Sequence, residues 1–387
     1  MQMTTTRLLA SALALSLFLG GTHAMAQDWP DLPTGIKNGI SARIGNTILV
    51  GLGTAGQSIY ALDLDDLAAG WRERADFVGA PTNGAASVAS GGKLYVFGGN
   101  GKATPDAVSP VIHDTAYVYD LAADSWSQLD TTTPVGLSGA RAMASSDGRL
   151  LFAGGYNKPL FDQYLLNVST TDAKAEPDKY AALVQGYMNQ PPEFYQWNDL
   201  LLSYDPANNT WADLGENPFP PNCDAAYVDL GNDRFLLLNG EIKPGLRTDV
   251  VKTISLDGNA ARWSEDPRLP APAGAGVQEG VAGAYAGRIG DVVLLAGGAN
   301  FPGARERSEA GTWFAHEGLT KTWRNEVYAL SGGQWDEIGA MPEGMGYGAS
   351  FSLEDGILLV GGEDGTGAAR PDVRLMQWDG ATLSFAD

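Results

Sequence analysis

The run Asn239-Gly240-Glu241-Ile242-Lys243-Pro244-Gly245-Leu246-Arg247-Thr248-Asp249 sets a carboxylate and a guanidinium six residues apart, with a Pro-Gly turn between them that can fold one toward the other. A carboxylate in a partly dry cleft can exchange protons with a sugar hydroxyl. Arginine offers a planar, two-pronged donor that matches a carboxylate ligand. The same spacing also suits a structural salt bridge from Glu241 to Arg247 or Lys243. A second group follows in Ala299-Asn300-Phe301-Pro302-Gly303-Ala304-Arg305-Glu306 and Ala315-His316-Glu317-Gly318-Leu319. His316 is either a proton shuttle or a loop residue held by a hydrogen bond. Arg305, His316 and Asn239 are candidate ligand-binding residues. So are Arg141, in Ser138-Gly139-Ala140-Arg141, and Tyr347, in Gly346-Tyr347-Gly348. These last two equally suit hydrogen bonds between neighbouring structural units.

Other chemistries find little support. Once a leader is removed, His113 and His316 are the only histidines, too few for a copper oxidase, and no carboxylates follow calcium-loop spacing. No Gly-x-Ser-x-Gly elbow is present. Gly98-Gly99-Asn100-Gly101-Lys102 lacks the strand-loop-helix setting of a phosphate cradle. No cofactor and no metal are expected.

The elements that must position these residues repeat along the chain. Leu94-Tyr95-Val96-Phe97-Gly98-Gly99, Leu150-Leu151-Phe152-Ala153-Gly154-Gly155, Val293-Leu294-Leu295-Ala296-Gly297-Gly298 and Ile357-Leu358-Leu359-Val360-Gly361-Gly362 are near copies. Ile48 to Gly53 and Phe235 to Gly240 are looser ones. Downstream, Tyr119 precedes Trp126 by seven, as Tyr204 does Trp211, Leu256 Trp263, Tyr328 Trp335, and Trp378 Phe385. Asp63, Asp120, Asp205, Asp257 and Asp379 each open a turn, where the carboxylate accepts from backbone N–H groups just ahead. Six units of four strands predict an all-β, six-bladed β-propeller with tryptophans filling the gaps between blades. Trp29-Pro30-Asp31-Leu32-Pro33 and Leu383-Ser384-Phe385 compete to complete the sixth blade.

The third unit is too long. Residues 156–199 form an insertion in which Lys179 to Asn189 reads helical and Pro191-Pro192 stops it. A second insertion lies between Ala299 and Arg324. Both leave the chain after a glycine pair, so they share one mouth of the central channel, either as a lid or as cover for a blade edge.

The N-terminus has the pattern of a secretory leader: Arg7, the apolar run Leu8 to Leu19, and Ala24-Met25-Ala26 as a small-x-small cleavage site. Residues 1–26 are therefore expected to be removed. Residues 27–387 are expected to form one propeller domain, soluble and free of the membrane. Cys223 is the only cysteine, so no intramolecular disulfide forms and a large core must stabilise the fold. The formal charge of −21 disfavours nucleic acid and anionic membranes as partners. For an anionic ligand, the site must gather its own cations.

The repeat resembles the kelch repeat across essentially the whole mature chain. The Asn-Gly-Glu-x-Lys-Pro-Gly-Leu-Arg-Thr-Asp run, Ala-His-Glu-Gly-Leu, Gly-Gly-Ala and Arg-Glu resemble the bacterial N-acetylneuraminate epimerases, or sialic acid mutarotases. The resemblance implies an exported, periplasmic six-bladed kelch-type propeller with a helical insertion in its third blade. It implies interconversion of the α and β anomers of free sialic acid, with Glu241 as acid-base group and Arg247 as its partner. It brings no metal requirement and suggests a homodimer. Departures in both insertions and near the N-terminus leave room for a modified sialic acid. A non-catalytic sugar-binding propeller is the first alternative. A sialidase is the second, although Ser145-Ser146-Asp147-Gly148 does not make a Ser-x-Asp-x-Gly-x-x-Trp box.

Overall fold

The apolar runs that end in glycine pairs become the second strand of each blade. Lys93–Phe97 is one of them, and Gly98 and Gly99 leave it with φ of 64° and 76°. A side chain at Gly99 would bring its Cβ within 2.2 Å of Thr82 Oγ1, so close approach and backbone angle both demand glycine there. The computed structural model describes residues 28–387, so the expected leader lies outside the described residues. Six antiparallel four-stranded sheets follow one another over residues 40–74, 86–128, 141–216, 226–266, 285–340 and 349–386. In every sheet spatial order equals chain order, and the first strands pack around a common axis. The architecture is a six-bladed β-propeller.

Its core is divided into slabs between blades. Tyr95 and Phe97 of blade 2 meet Phe152, Leu202 and Tyr204 of blade 3. Val50 and Tyr60 of blade 1 meet Leu358 and Val360 of blade 6. Equivalent slabs fill the other four gaps. Trp71, Trp126, Trp211 and Trp335 stitch gaps with indole hydrogen bonds, while the Trp263 indole is buried without one. The Trp126 indole donates to the Ala75 carbonyl at 2.9 Å and the Trp335 indole to that of Pro267 at 2.8 Å, each on the chain leaving the preceding blade. The aspartate turns form as their side-chain chemistry requires: Asp120 Oδ1 accepts from the N–H groups of Ala122 and Ala123, both at 3.0 Å.

The seven-residue spacing pairs Tyr119 with Trp126 and Tyr204 with Trp211 directly across the strands. In blade 4 Trp263 instead faces Ile254, and in blade 5 Trp335 faces Leu330. Those hairpins turn through only two residues, Gly258-Asn259 and Gly332-Gly333, which shifts the partner.

Leu383–Ala386 is the outer strand of blade 6. The N-terminal segment crosses the seam between blades 6 and 1 without joining a sheet: Leu32 N–H donates to the Pro371 carbonyl at 2.9 Å, and Asp31 Oδ1 accepts from Val373 N–H at 3.3 Å. Trp29, Leu32 and Ile36 plug the slab beneath. The C-terminal strand wins the sixth blade.

The long insertion carries α1, Lys158–Ser169, and α2, Pro177–Met188. The apolar spacing over 179–189 marks α2. It gives no sign of α1, which buries no residue and starts at an Asn157 cap whose side chain accepts from Leu160 N–H at 3.1 Å. A short α3, Ala304–Glu309, lies in the second insertion. Among the described residues no helix is long and apolar enough to cross a membrane.

Candidate active site

At one mouth of the channel each repeat enters its blade through a left-handed residue. These are Asn38, Gly84, Gly139, Asp224, Gly283 and Tyr347, with φ between 51° and 73°. Their peptides close a circle, in which Gly84 N–H donates to Asn38, Gly139 to Gly84, Asp224 to Gly139, Gly283 to Asp224, Tyr347 to Gly283, and Asn38 to Tyr347, at 2.7 to 3.0 Å. Glycine suits such a backbone. Three of the six positions carry side chains instead, the kind of local strain that gathers at functional sites. A cavity of about 450 Å³ rests on this circle, with Asn38, Asp224 and Tyr347 in its wall.

The Pro-Gly turn brings the principal pair together. Glu241–Lys243 and Leu246–Arg247 form a short hairpin in which Glu241 and Arg247 are direct cross-strand partners. Arg247 Nη1 lies 2.7 Å from Glu241 Oε1, and the two side chains are 4% and 10% exposed, so this is a nearly dry ion pair at the cavity wall. Tyr156 Oη donates to Glu241 Oε2 at 2.9 Å. Burial, then the charge of Glu241, pushes that phenol well above its ordinary range, so it stays protonated and donates. Arg247 also donates through Nε to the Ala299 carbonyl at 3.2 Å and through Nη2 to Tyr347 Oη at 3.3 Å, and lies over the Phe301 ring. The guanidinium is held by hydrogen bonds through Nε and Nη2, while Nη1 meets Glu241 as a charge contact and makes no hydrogen bond. The carboxylate and the guanidinium thus form a salt bridge that lines the cavity.

His316 reaches the same cavity, packed between Phe301 and Phe314. Burial, then the nearby Arg247 charge, lowers its pKa to about 4, so it is a neutral imidazole near pH 7. Its Nδ1 has no hydrogen-bond partner, so ring packing holds the loop. Gly245 makes room for that ring. At φ 79°, a Cβ there would fall 1.8 Å from His316 Nδ1. Gly245→Ala is expected to destabilise the protein by about 1–3 kcal/mol through overpacking, read as a lower urea midpoint at unchanged slope. An unchanged midpoint would show that both the imidazole and the left-handed backbone at this turn relax without cost.

Tyr347 lines both the cavity and the channel behind it, a space of about 480 Å³ between the innermost strands. Arg141 lies in that channel, and its Nε donates to the Ala225 carbonyl at the entry to blade 4. It is thus an inter-blade hydrogen bond and a channel residue, one step removed from the cavity. Two candidates are placed elsewhere, and the assignment of Arg305 and Asn239 to ligand binding is corrected. Arg305, on α3, is occupied by Asp249, with Nη2 2.9 Å from Oδ1 and Nη1 3.0 Å from Oδ2. Asn239 stands where other repeats have the first glycine of the pair. At φ 58° it is fully buried, away from the cavity.

Several wall residues have no signal in residue spacing. Glu363 accepts from Lys37 Nζ at 2.6 Å, from Lys321 Nζ, and from the Trp323 indole at 3.0 Å. Burial alone would raise its pKa, but the hydrogen bonds and charges of the two lysines hold it below the ordinary carboxylate range. Lys321 also lies over the Tyr347 ring. Asp224 stands at a position where three other blades read Gly-Ala: compare Asn83-Gly84-Ala85, Ser138-Gly139-Ala140 and Ala282-Gly283-Ala284 with Cys223-Asp224-Ala225. That substitution is the trace that marks it.

The two insertions meet above the site. Lys243, fully buried, donates to the carbonyls of Met188 at 3.0 Å, Gln190 at 2.6 Å and Trp313. Burial lowers its pKa to about 8. The hairpin that bears Glu241 and Arg247 is thereby tied to both insertions, which supply Tyr156, Phe161, Phe301 and His316 to the cavity wall.

The family model described as N-acetylneuraminate epimerase matches residues 29–385. An N-acetylneuraminate epimerase of Brucella melitensis biotype 1 is 55% identical over 376 residues, covering 97% of each chain. One of Vibrio cholerae serotype O1 is 44% identical over 387 residues, covering 100% of each. The solved structure of YjhT superposes with a TM-score of 0.86 at 32% identity, covering 93% of this chain and 99% of its own. With a propeller of the same shape and relatives matched from end to end, the chain belongs to the N-acetylneuraminate epimerase family.

Proposed function

We propose that this chain interconverts the α and β anomers of free N-acetylneuraminic acid by acid-base opening and reclosure of the sugar ring, in the periplasm after loss of its leader. The observation that carries this reading is the Glu241–Arg247 pair at the wall of a mouth cavity large enough for one sugar. Mutarotation needs only proton traffic. Glu241 takes the proton of the anomeric hydroxyl, and Arg247, already fixed, stabilises the oxyanion that develops beside it.

The charges of the wall suit an acidic sugar. Arg247 is engaged by Glu241, so the sugar carboxylate goes to Lys321 in the cavity wall, which shares the charge of Glu363 with Lys37 behind it. These cations are the local counter to the repulsion an anion meets from a chain of net charge −21.

Exchange NMR on free N-acetylneuraminic acid tests the reading. Catalytic amounts of the protein are expected to speed α-to-β conversion well beyond the spontaneous rate. Line broadening without faster exchange would mean a binding protein. Release of sugar from a sialoside without faster exchange would mean a hydrolase.

A further inference from the structure

Opening a cyclic keto-sugar moves two protons at two oxygens: one leaves the anomeric hydroxyl and one arrives on the ring oxygen. Resting on the mutarotase reading above, Glu241 serves the first of these. Both its oxygens face donors, Arg247 Nη1 at 2.7 Å and Tyr156 Oη at 2.9 Å, so it is built as an acceptor. The second transfer needs a proton donor facing the same space.

Asp224 stands there. Cys223 and Glu241 exchange backbone hydrogen bonds at 2.9 and 2.8 Å, which sets the next residue, Asp224, beside Glu241 in the cavity wall. Its backbone is locked in the circle of peptides at φ 51°. Among the described residues no group hydrogen-bonds its carboxyl, in contrast to Glu241 and Glu363. The groups that face it are Glu241 and Arg247 from the hairpin, Arg141 from blade 3, Lys321 and Tyr347 from the mouth, Tyr156 from the first insertion, and the adjacent Cys223. Burial and then the charge of Glu241 outweigh the three cations and push Asp224 up to about 6. Two carboxyls in one cavity, one built to accept and one that holds its proton to a higher pH than an ordinary aspartate, form an acid-base pair.

We propose that Asp224 carries the second proton of the reaction, giving it to the ring oxygen while Glu241 takes the proton of the anomeric hydroxyl. The bond between the anomeric carbon and the ring oxygen breaks. Its electron pair stays on the ring oxygen, which takes the proton from Asp224. The electron pair of the anomeric O–H bond becomes the second carbon–oxygen bond of the ketone, and Glu241 holds the released proton. Reclosure on the other face of the ketone runs both transfers backward and restores both carboxyls, so no outside acid or base is consumed.

Asp224→Asn tests this, because asparagine keeps the size of the side chain and tolerates the left-handed backbone. Anomer exchange is expected to slow by roughly 10²-fold, while saturation-transfer signals from the bound sugar persist. An acid must be protonated to act, so the wild-type rate is expected to fall as pH rises above about 6, and the residual rate of the variant to lack that limb. An Asp224→Asn rate within about twofold of wild type, with Glu241→Gln slow, overturns the role of Asp224 and leaves the mutarotase reading standing. So does a wild-type rate that is flat between about pH 5.5 and 8, which decides the matter even if the variant does not fold. A wild-type protein that does not speed exchange at all overturns the mutarotase reading itself, and this inference with it.

Discussion

Glu241→Gln leaves the propeller folded, at a cost in stability because the buried Arg247 charge loses its partner, and slows anomer exchange by roughly 10²-fold or more. The amide keeps the shape of the carboxylate. Its oxygen still accepts from Tyr156, the donor that now holds the carboxylate. It cannot take a proton from a hydroxyl at neutral pH, so the loss falls on the rate and not on binding. The check is exchange NMR for the rate and saturation transfer for the bound sugar, with circular dichroism to confirm the sheets. A Glu241→Gln rate equal to wild type would remove this carboxylate from the mechanism.

Arg247→Met is expected to be costly in a second way. It deletes one half of an ion pair whose side chains are 4% and 10% exposed. Removing one partner of such a pair leaves the other charge buried without compensation, at about 3–5 kcal/mol. Tyr347 Oη also loses the Arg247 donor, and the Ala299 carbonyl keeps only the Ala282 N–H. Urea denaturation should show the lost stability, and anomer exchange should fall with it. A double variant, Glu241→Gln with Arg247→Met, should recover much of the stability and none of the rate, because no unpaired charge remains. If Arg247→Met unfolds at the wild-type midpoint, the guanidinium is more hydrated than its burial indicates.

The fold was legible because its signals are local and repeated. Apolar runs recur six times, four of them closed by a glycine pair, and five units carry the aspartate turn, so the copies support one another. The Glu241–Arg247 pair was legible for a similar reason: both residues lie on one tight hairpin, so sequence spacing becomes spatial contact. Arg305 has the same residue type in a suggestive loop, yet Asp249 lies nearer and takes it. Lys37, Lys321 and Glu363 come from three distant stretches of the chain and meet only when the ring closes, so no spacing announces them. Asp224 left a fainter mark. It is an irregularity inside a regular repeat, visible only when the blade entries are set side by side.

The seam between the last and first blades carries a mechanical consequence. At the other five gaps the polypeptide itself runs from one sheet to the next. Here the join is non-covalent, held by the threading of residues 29–37 and the apolar slab beneath them. The ring is thus a split washer. Its slit is where the toroid should first gape under load or heat, and amides such as that of Leu32 should trade hydrogen for deuterium before those of the buried second strands.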